Sequence, residues 1–258
     1  MGGNVSENSF DIAISHFWVE ILATIYDCFA KKNIMEQFVT AGSGYVLYES
    51  DENALYELAE FVVRENYRHH DYNSIPPIDE VETIYKEEKR LANISRVLVA
   101  RNEAGRIIGS IRITRWDKKT ILPLESLFGL NPLDLNFDNK ITTFWHIGRF
   151  SISKEGTCST MHLMRTLMIN AVYPIVNEVT GCLLAEVDRK LFNALGILGI
   201  NVSQLAPSIY YLASETIPVY STSKAMMGFY ERNKYLYDSS NFNTRKDETT
   251  HLPWSLKL

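Results

Sequence analysis

The chain has 258 residues, of which 46% are apolar, and a formal net charge of −5. That length and composition suit a globular protein of one large domain, with or without an appended subdomain, and an acidic balance without a long Lys/Arg run argues against a general nucleic-acid binder. No apolar run approaches the roughly 20 residues that span a bilayer, the opening MGGNVSENSF lacks the basic flank and apolar core of a secretory signal, and the scattered Cys28, Cys158 and Cys182 suit neither a disulfide framework nor a zinc site, so a cytoplasmic location is the expectation.

In chain order, Gly2 with Ser6 fits the short myristoylation pattern, which leaves peripheral membrane contact open. Phe10, Ile14, Phe17, Trp18, Ile21, Ile25 and Phe29 then recur three or four apart, one face of an amphipathic helix. Residues 1–42 therefore read as an N-terminal helical segment, running into a turn at Ala41–Gly44. A body over 43–237 opens with a strand at Tyr45–Glu49 and a helix at Glu52–His69, broken at Ser74–Pro77. The helix Asp79–Leu91 is so charged that most of its surface is expected in solvent.

RVLVAR (96–101) and RIIGSIRITR (106–115) flank Asn102–Gly105, a hairpin with Gly ending its connection. Leu122–Leu130 reads as a short helical turn and Asn131–Asn139 as a polar loop. Thr143–Ala171 gives a long apolar strand, a loop containing Gly156, and an amphipathic helix opened by Ser159 and Thr160. Cys182–Val187 follows as a buried strand; Asp188 caps a helix, Arg189–Leu198, that Gly199 ends. Strands at Ile209–Tyr211 and Ile217–Tyr220, a helix at Lys224–Arg232 and a polar tail over 238–258 complete the chain. This order predicts an α/β protein whose mixed central sheet has helices on both faces.

Within that frame a few residues carry chemistry. His146 and Arg149 interrupt an apolar strand, where each is costly unless paired or used. A histidine titrating near neutrality suits removal of a proton from an ammonium group, and a core histidine satisfied by hydrogen bonds is the plainer alternative. In a regular strand Arg149 points away from His146, and only a bulge brings the two together. Arg149 otherwise pairs with Glu186 or Glu125. Arg112 has the chemistry to hold a substrate carboxylate in bidentate fashion, or lies exposed on a strand edge. Glu125, alone in the apolar LPLESLF, is a second candidate base or a carboxylate at a helix start. The loop and helix start at Gly156, Ser159, Thr160 and Arg165 suit a phosphate-bearing ligand, since backbone N–H groups and the helix dipole point there.

Weaker signals accompany these. Tyr230 in GFYERN resembles the tyrosine that reprotonates the leaving thiolate in acetyltransferases, His69–His70–Asp71 reads as the basic end of a helix, and Cys158 lies near a helix N-terminus. Met161, Met164, Leu167 and Met168 read mostly as core, and flexible methionines among them suit the wall of a pocket if one exists. Arg112, Arg115, Lys118 and Lys119, with Lys154 and Arg165, are expected to ring a groove mouth as a local basic patch.

RIIGSIRIT, ILPLESLF and WHIGRFSIS together resemble the acyl-homoserine lactone synthases and the N-acyl amino acid synthases of the GNAT superfamily. Gly109 and Arg112, Leu124 and Phe128, and Arg149 with Phe150 carry the likeness in order and spacing. His146 stands where that family has a Glu; its N-terminal Arg, Phe, Trp and paired Asp pattern has no counterpart before Asn93; and Lys154–Thr160 holds one glycine where acetyl-CoA users have several. The resemblance implies a GNAT-like sheet and transfer of a fatty acyl chain from acyl carrier protein or acyl-CoA to the amine of an amino acid or similar small molecule. His146, Arg149 and Glu125 would be catalytic; Arg112, Phe128 and Phe150 would bind the acceptor; Gly156, Ser159, Thr160 and Arg165 would bind the donor. No metal or cofactor is implied beyond the phosphopantetheine or coenzyme A thioester. The alternatives are a lactone synthase using S-adenosylmethionine and a non-catalytic acyl-binding module.

Overall fold

The computed structural model describes residues 36–70, 78–137, 140–155, 159–212 and 214–237. The amphipathic stretch at 10–29, the break at 74–77, Gly156, Cys158 and the tail from 238 lie outside the described residues.

Gln37–Gly42, expected to end a helical segment, is instead the first strand, β1. It turns through Ser43 and Gly44 into β2 (Tyr45–Ser50). Gly44 makes that two-residue turn with φ of 80°, a region nearly closed to residues with a Cβ. Helices α1 (Leu55–His70) and α2 (Ile78–Leu91) lead to the hairpin of β3 (Ser95–Arg101) and β4 (Ile107–Arg115). A short α3 (Pro123–Phe128) opens on proline and ends on left-handed Gly129. Then come β5 (Thr143–Ile152), α4 (Thr160–Val176), β6 (Gly181–Asp188) and α5 (Arg189–Leu198). The short β7 (Ser203–Gln204) and β8 (Ile209–Tyr211) precede β9 (Ser214–Thr222) and α6 (Ser223–Asn233).

One sheet joins the strands in the order β1-β2-β3-β4-β5-β6-β9-β7, with β8 on the other stretch of β9. Every pairing is antiparallel except β5 with β6, which α4 connects as the crossover that parallel neighbours need. Alternation sorts the faces. On one face Ile111, Ile113, Trp145, Ile147 and Leu183 pack on Leu163, Leu167 and Val172 of α4 and Phe229 of α6. On the other, Val97, Val99 and Ile107 pack on Leu58 and Phe61 of α1, and Ala59 and Val63 of α1 pack on Val81 and Ile84 of α2. β4 is buried on both sides, so Ser110, Arg112 and Thr114 lie inside the protein, on the face that α1 and α2 cover. Among the described residues no helix is long and apolar enough to cross a membrane.

Candidate active site

β5 and β6 pair only from Thr143↔Gly181 to Ile147↔Ala185. Beyond that point they part, and the facing edges of residues 148–152 and 186–188 have no ladder partner from one another. A cavity of about 150 Å³ fills the fork. Its apolar wall includes Ile147, Met168, Leu183 and Leu195; its polar wall includes Glu87, Arg112, His146, Glu186 and Tyr211. Asn66 of α1 donates to the Leu212 carbonyl, tying α1 to the β8–β9 turn beside the fork.

A bulge brings the polar groups together. β4 and β5 pair at Arg112↔Gly148 and again at Ser110↔Ser151, so Arg149 and Phe150 stand opposite Ile111 alone. Arg149 takes up the extra residue with φ of 54°, a conformation rarely held by a non-glycine residue and costly unless its surroundings enforce it. Ser110 Oγ donates to the Arg149 carbonyl at 2.7 Å and pins the kink. Without the bulge Arg149 would point to the α4 face; with it, Arg149 shares a wall with His146. Gly148 belongs here because a Cβ would stand 2.8 Å from Arg112 Nη2 and 3.3 Å from His146 Cε1.

The cluster that results is charged and nearly dry. Glu88 is fully buried and accepts from Arg112 Nη1 and, at 2.6 Å, from Arg149 Nε. Glu87 accepts from Arg112 Nη1 at 3.2 Å and Arg149 Nη2 at 2.5 Å. Arg112 Nη2 lies 3.4 Å from His146 Nδ1, whose Nε2 is 2.9 Å from Glu186 Oε2. A guanidinium can only donate, so Nδ1 accepts, and the imidazole proton sits on Nε2, directed at Glu186. Burial pushes the Glu87 carboxyl up, but Arg149 and then Arg112 outweigh it and hold the group at about 2. Burial works against the Arg149 cation, and Glu87 and Glu88 more than restore it. Burial also raises the Tyr211 phenol; Arg149 opposes this and Glu87 adds to it. Glu186 Oε1 and Arg112 Nε are buried without a hydrogen-bond partner.

Of the residues singled out in the sequence, the structure brings His146, Arg149, Arg112 and Phe150 to the fork. Arg112 is 1% exposed, so it is neither an edge residue nor part of a docking patch. Arg149 pairs with Glu87 and Glu88, not with Glu186 or Glu125. Glu125 sits in the first turn of α3 and Phe128 packs with Trp116 and Phe144; neither lines the cavity. Ser159 caps α4 by accepting from the His162 amide, and Thr160 and Arg165 are exposed, all three away from the fork lining. Tyr230 packs near Tyr173, with ring centroids 6.1 Å apart. Met168 reaches the cavity, whereas Met161 is exposed.

Arg115 and Lys118 line a separate hollow with Thr142 and Thr143, at the far end of β5 from the fork, so they do not ring its mouth. His69 contacts the Ile152 carbonyl at 3.3 Å. Among the described residues no group of three or more His, Cys, Asp and Glu could hold a metal ion.

Three residues escaped the sequence reading: Glu87, Glu88 and Tyr211. For Glu88 a signal existed. Val81, Ile84, Glu88 and Leu91 form the buried stripe of α2, and a glutamate on an apolar stripe demands a buried partner.

A mixed sheet that splays between its parallel strands, with a helix crossing between them, is a GNAT-like fold. No protein-family model matches the chain, and no curated protein matches it. Among solved structures, the AHL synthase LasI aligns with a TM-score of 0.51 at 15% identity, over 78% of this chain and 96% of that one. TofI, in a ternary complex with an inhibitor and MTA, aligns at 0.49 and 13% identity, over 72% of this chain and 96% of its own. FeeM, an N-acyl amino acid synthase from uncultured soil microbes, gives 0.47 and 12%, over 65% and 90%. At such identities the likeness is one of fold.

Proposed function

We propose that this chain is an N-acyltransferase that moves a fatty acyl group from a phosphopantetheine thioester, on acyl carrier protein or coenzyme A, to the amine of an amino acid or similar small molecule. The observation that carries the reading is the β5–β6 fork with the His146–Glu186 pair on its wall. Strand edges without ladder partners suit an extended, amide-bearing arm, which takes the place of the missing strand. The apolar wall suits the acyl end of the donor.

In this reading the acceptor enters as an ammonium ion and gives a proton to Glu186, which His146 orients through Nε2–H. The free amine attacks the thioester carbonyl carbon, forming the C–N bond and moving the carbonyl pair onto oxygen. As the C–S bond breaks, the thiolate takes a proton from Tyr211, the nitrogen's second proton restores the Tyr211 phenol, and Glu186 passes its proton to solvent. Each turnover yields amide, thiol and one proton released to solvent. A phenol kept protonated by its burial is suited to that donation. The Arg112 and Arg149 cluster holds His146 and the bulge in place at no reorganisation cost during the reaction.

The test is a matrix of acyl-CoA and acyl-carrier donors against amines, read by free-thiol release and by mass of the N-acyl product. Arg149→Ala and His146→Ala are each expected to lower transfer about tenfold or more while the protein stays folded. Near-wild-type turnover by both removes this active centre. Methylthioadenosine release from S-adenosylmethionine identifies the lactone synthase alternative, and tight acyl-thioester binding without turnover identifies a binding module.

A further inference from the structure

On the residues that line the fork, two buried side-chain atoms have no hydrogen-bond partner among the described residues: Arg112 Nε and Glu186 Oε1. The first is a donor on a cation and the second an acceptor on an anion. Both side chains are nine-tenths buried or more, at 1% and 10% exposure. A buried charged group with an unmet hydrogen bond is costly, so a ligand that supplies both partners gains by entering.

The two atoms lie on opposite sides of His146. Arg112 gives Nη1 to Glu87 and Glu88, and its Nη2 stands 3.4 Å from His146 Nδ1 with a second hydrogen to spare. Nε and Nη2 are neighbouring donors of one guanidinium, the kind of pair that grips a carboxylate in bidentate fashion. Gly148, itself on the cavity lining, sets no side chain against that edge, where a Cβ would stand 2.8 Å from Nη2. On the far side, His146 Nε2 holds Glu186 Oε2 at 2.9 Å and leaves Oε1 open to another donor. One imidazole ring with a contact at either end thus separates guanidinium from carboxylate. An α-amino acid, with ammonium and carboxylate on one carbon, spans a comparable gap alongside the ring.

We infer that Arg112 and Glu186 together recognise the acceptor as an α-amino acid zwitterion. The Nε–Nη2 edge of Arg112 holds the carboxylate, and Glu186 Oε1 receives the ammonium. This rests on the acyl-transfer reading above and narrows its acceptor to compounds with a free α-carboxylate. The grip also aims the amine: with the carboxylate fixed, the nitrogen that Glu186 deprotonates is held in one orientation toward the thioester.

The test compares each amino acid that serves as acceptor with the amine that lacks its carboxylate; leucine and 3-methylbutylamine are one such pair. The amino acid is expected to exceed its amine in kcat/KM by about tenfold or more, because a site built around buried polar groups rejects an analogue that leaves them unpaired. Equal or better use of the amine overturns the inference. The β-amino acid homologue should fall severalfold below its α-amino acid, and equal use of both overturns the pairing across His146. Arg112→Lys keeps the charge but loses the two-donor edge, so the ratio of amino acid to amine should drop severalfold. A purely structural Arg112 would lower both compounds alike, and an unchanged ratio overturns the inference. That ratio does not depend on how much of the variant is folded. If Arg112→Lys fails to fold, Gly148→Ala crowds the same edge and should move the ratio in the same direction. Calorimetric binding without donor separates the two claims. Selective binding of the amino acid with no transfer to either compound defeats the acyltransferase reading and upholds the recognition pair. Transfer without preference for the carboxylate defeats the pair and leaves the acyltransferase reading standing, and neither binding nor transfer defeats both.

Discussion

Replacing Glu87 with Gln tests the charge cluster through its pH dependence. The Glu87 carboxyl is held at about 2 against an ordinary 4.5. A difference of that size corresponds to about 3 kcal/mol of stability. The side chain is only 17% exposed, so solvent screening removes little of it. A carboxyl whose pKa is lower in the folded state stabilises the protein above its unfolded pKa and loses that contribution as pH falls toward the folded value. Urea unfolding of wild type and Glu87→Gln near neutrality should therefore differ by about 3 kcal/mol, and by less than half of that at about pH 3. In a chain of this size the neutral-pH difference amounts to roughly 6–12 °C in Tm. A gap that stays constant between neutrality and about pH 3 would refute the assignment, because it would mean that Gln disturbs packing and not the ionised state.

Two glycines give sharper local tests. Gly148→Ala should lower acyl transfer about tenfold and stability by about 1–3 kcal/mol, because its methyl would stand 2.8 Å from Nη2 of Arg112, whose guanidinium is held by two glutamates through Nη1 and faces His146 through Nη2; unchanged kcat/KM would mean that the guanidinium yields freely. Gly181→Ala serves as the contrast, since its Cβ would meet the carbonyl oxygens of Ile175 at 2.6 Å and Glu178 at 2.9 Å. Both carbonyl oxygens crowd the Ser223 hydroxyl, at 3.0 Å from Ile175 and 2.7 Å from Glu178, so the backbone has little room to shift. That variant should lose about 1–3 kcal/mol in urea unfolding and retain its turnover per folded molecule, because Gly181 starts β6 at the end remote from the fork.

The sequence by itself determined the elements from 95 to 233 nearly as they stand. Hydrophobic alternation, Asp188 as a cap and Gly199 as a stop are local signals, and local signals survive folding. It also marked His146, Arg149 and Arg112, because polar groups in apolar strands announce a cost that some partner must offset. Which partner was beyond its reach. Val39 and the short β1 were hidden because a strand needs a neighbour more than a propensity, and that neighbour, β2, fixes Gln37–Gly42 by pairing.

Glu87 looked like a solvated helix charge, and the apolar stripe that could have marked Glu88 as buried does not show what covers the helix. Only the tertiary structure sets α2 against β4 and β5. The bulge at Arg149 was equally a matter of register: one extra residue between Gly148 and Ser151 reverses the direction of a side chain, and no single strand records the spacing of its partner. The fork followed the same rule, since strands part where their pairing stops, and pairing is a property of two segments that the chain keeps some 38 residues apart.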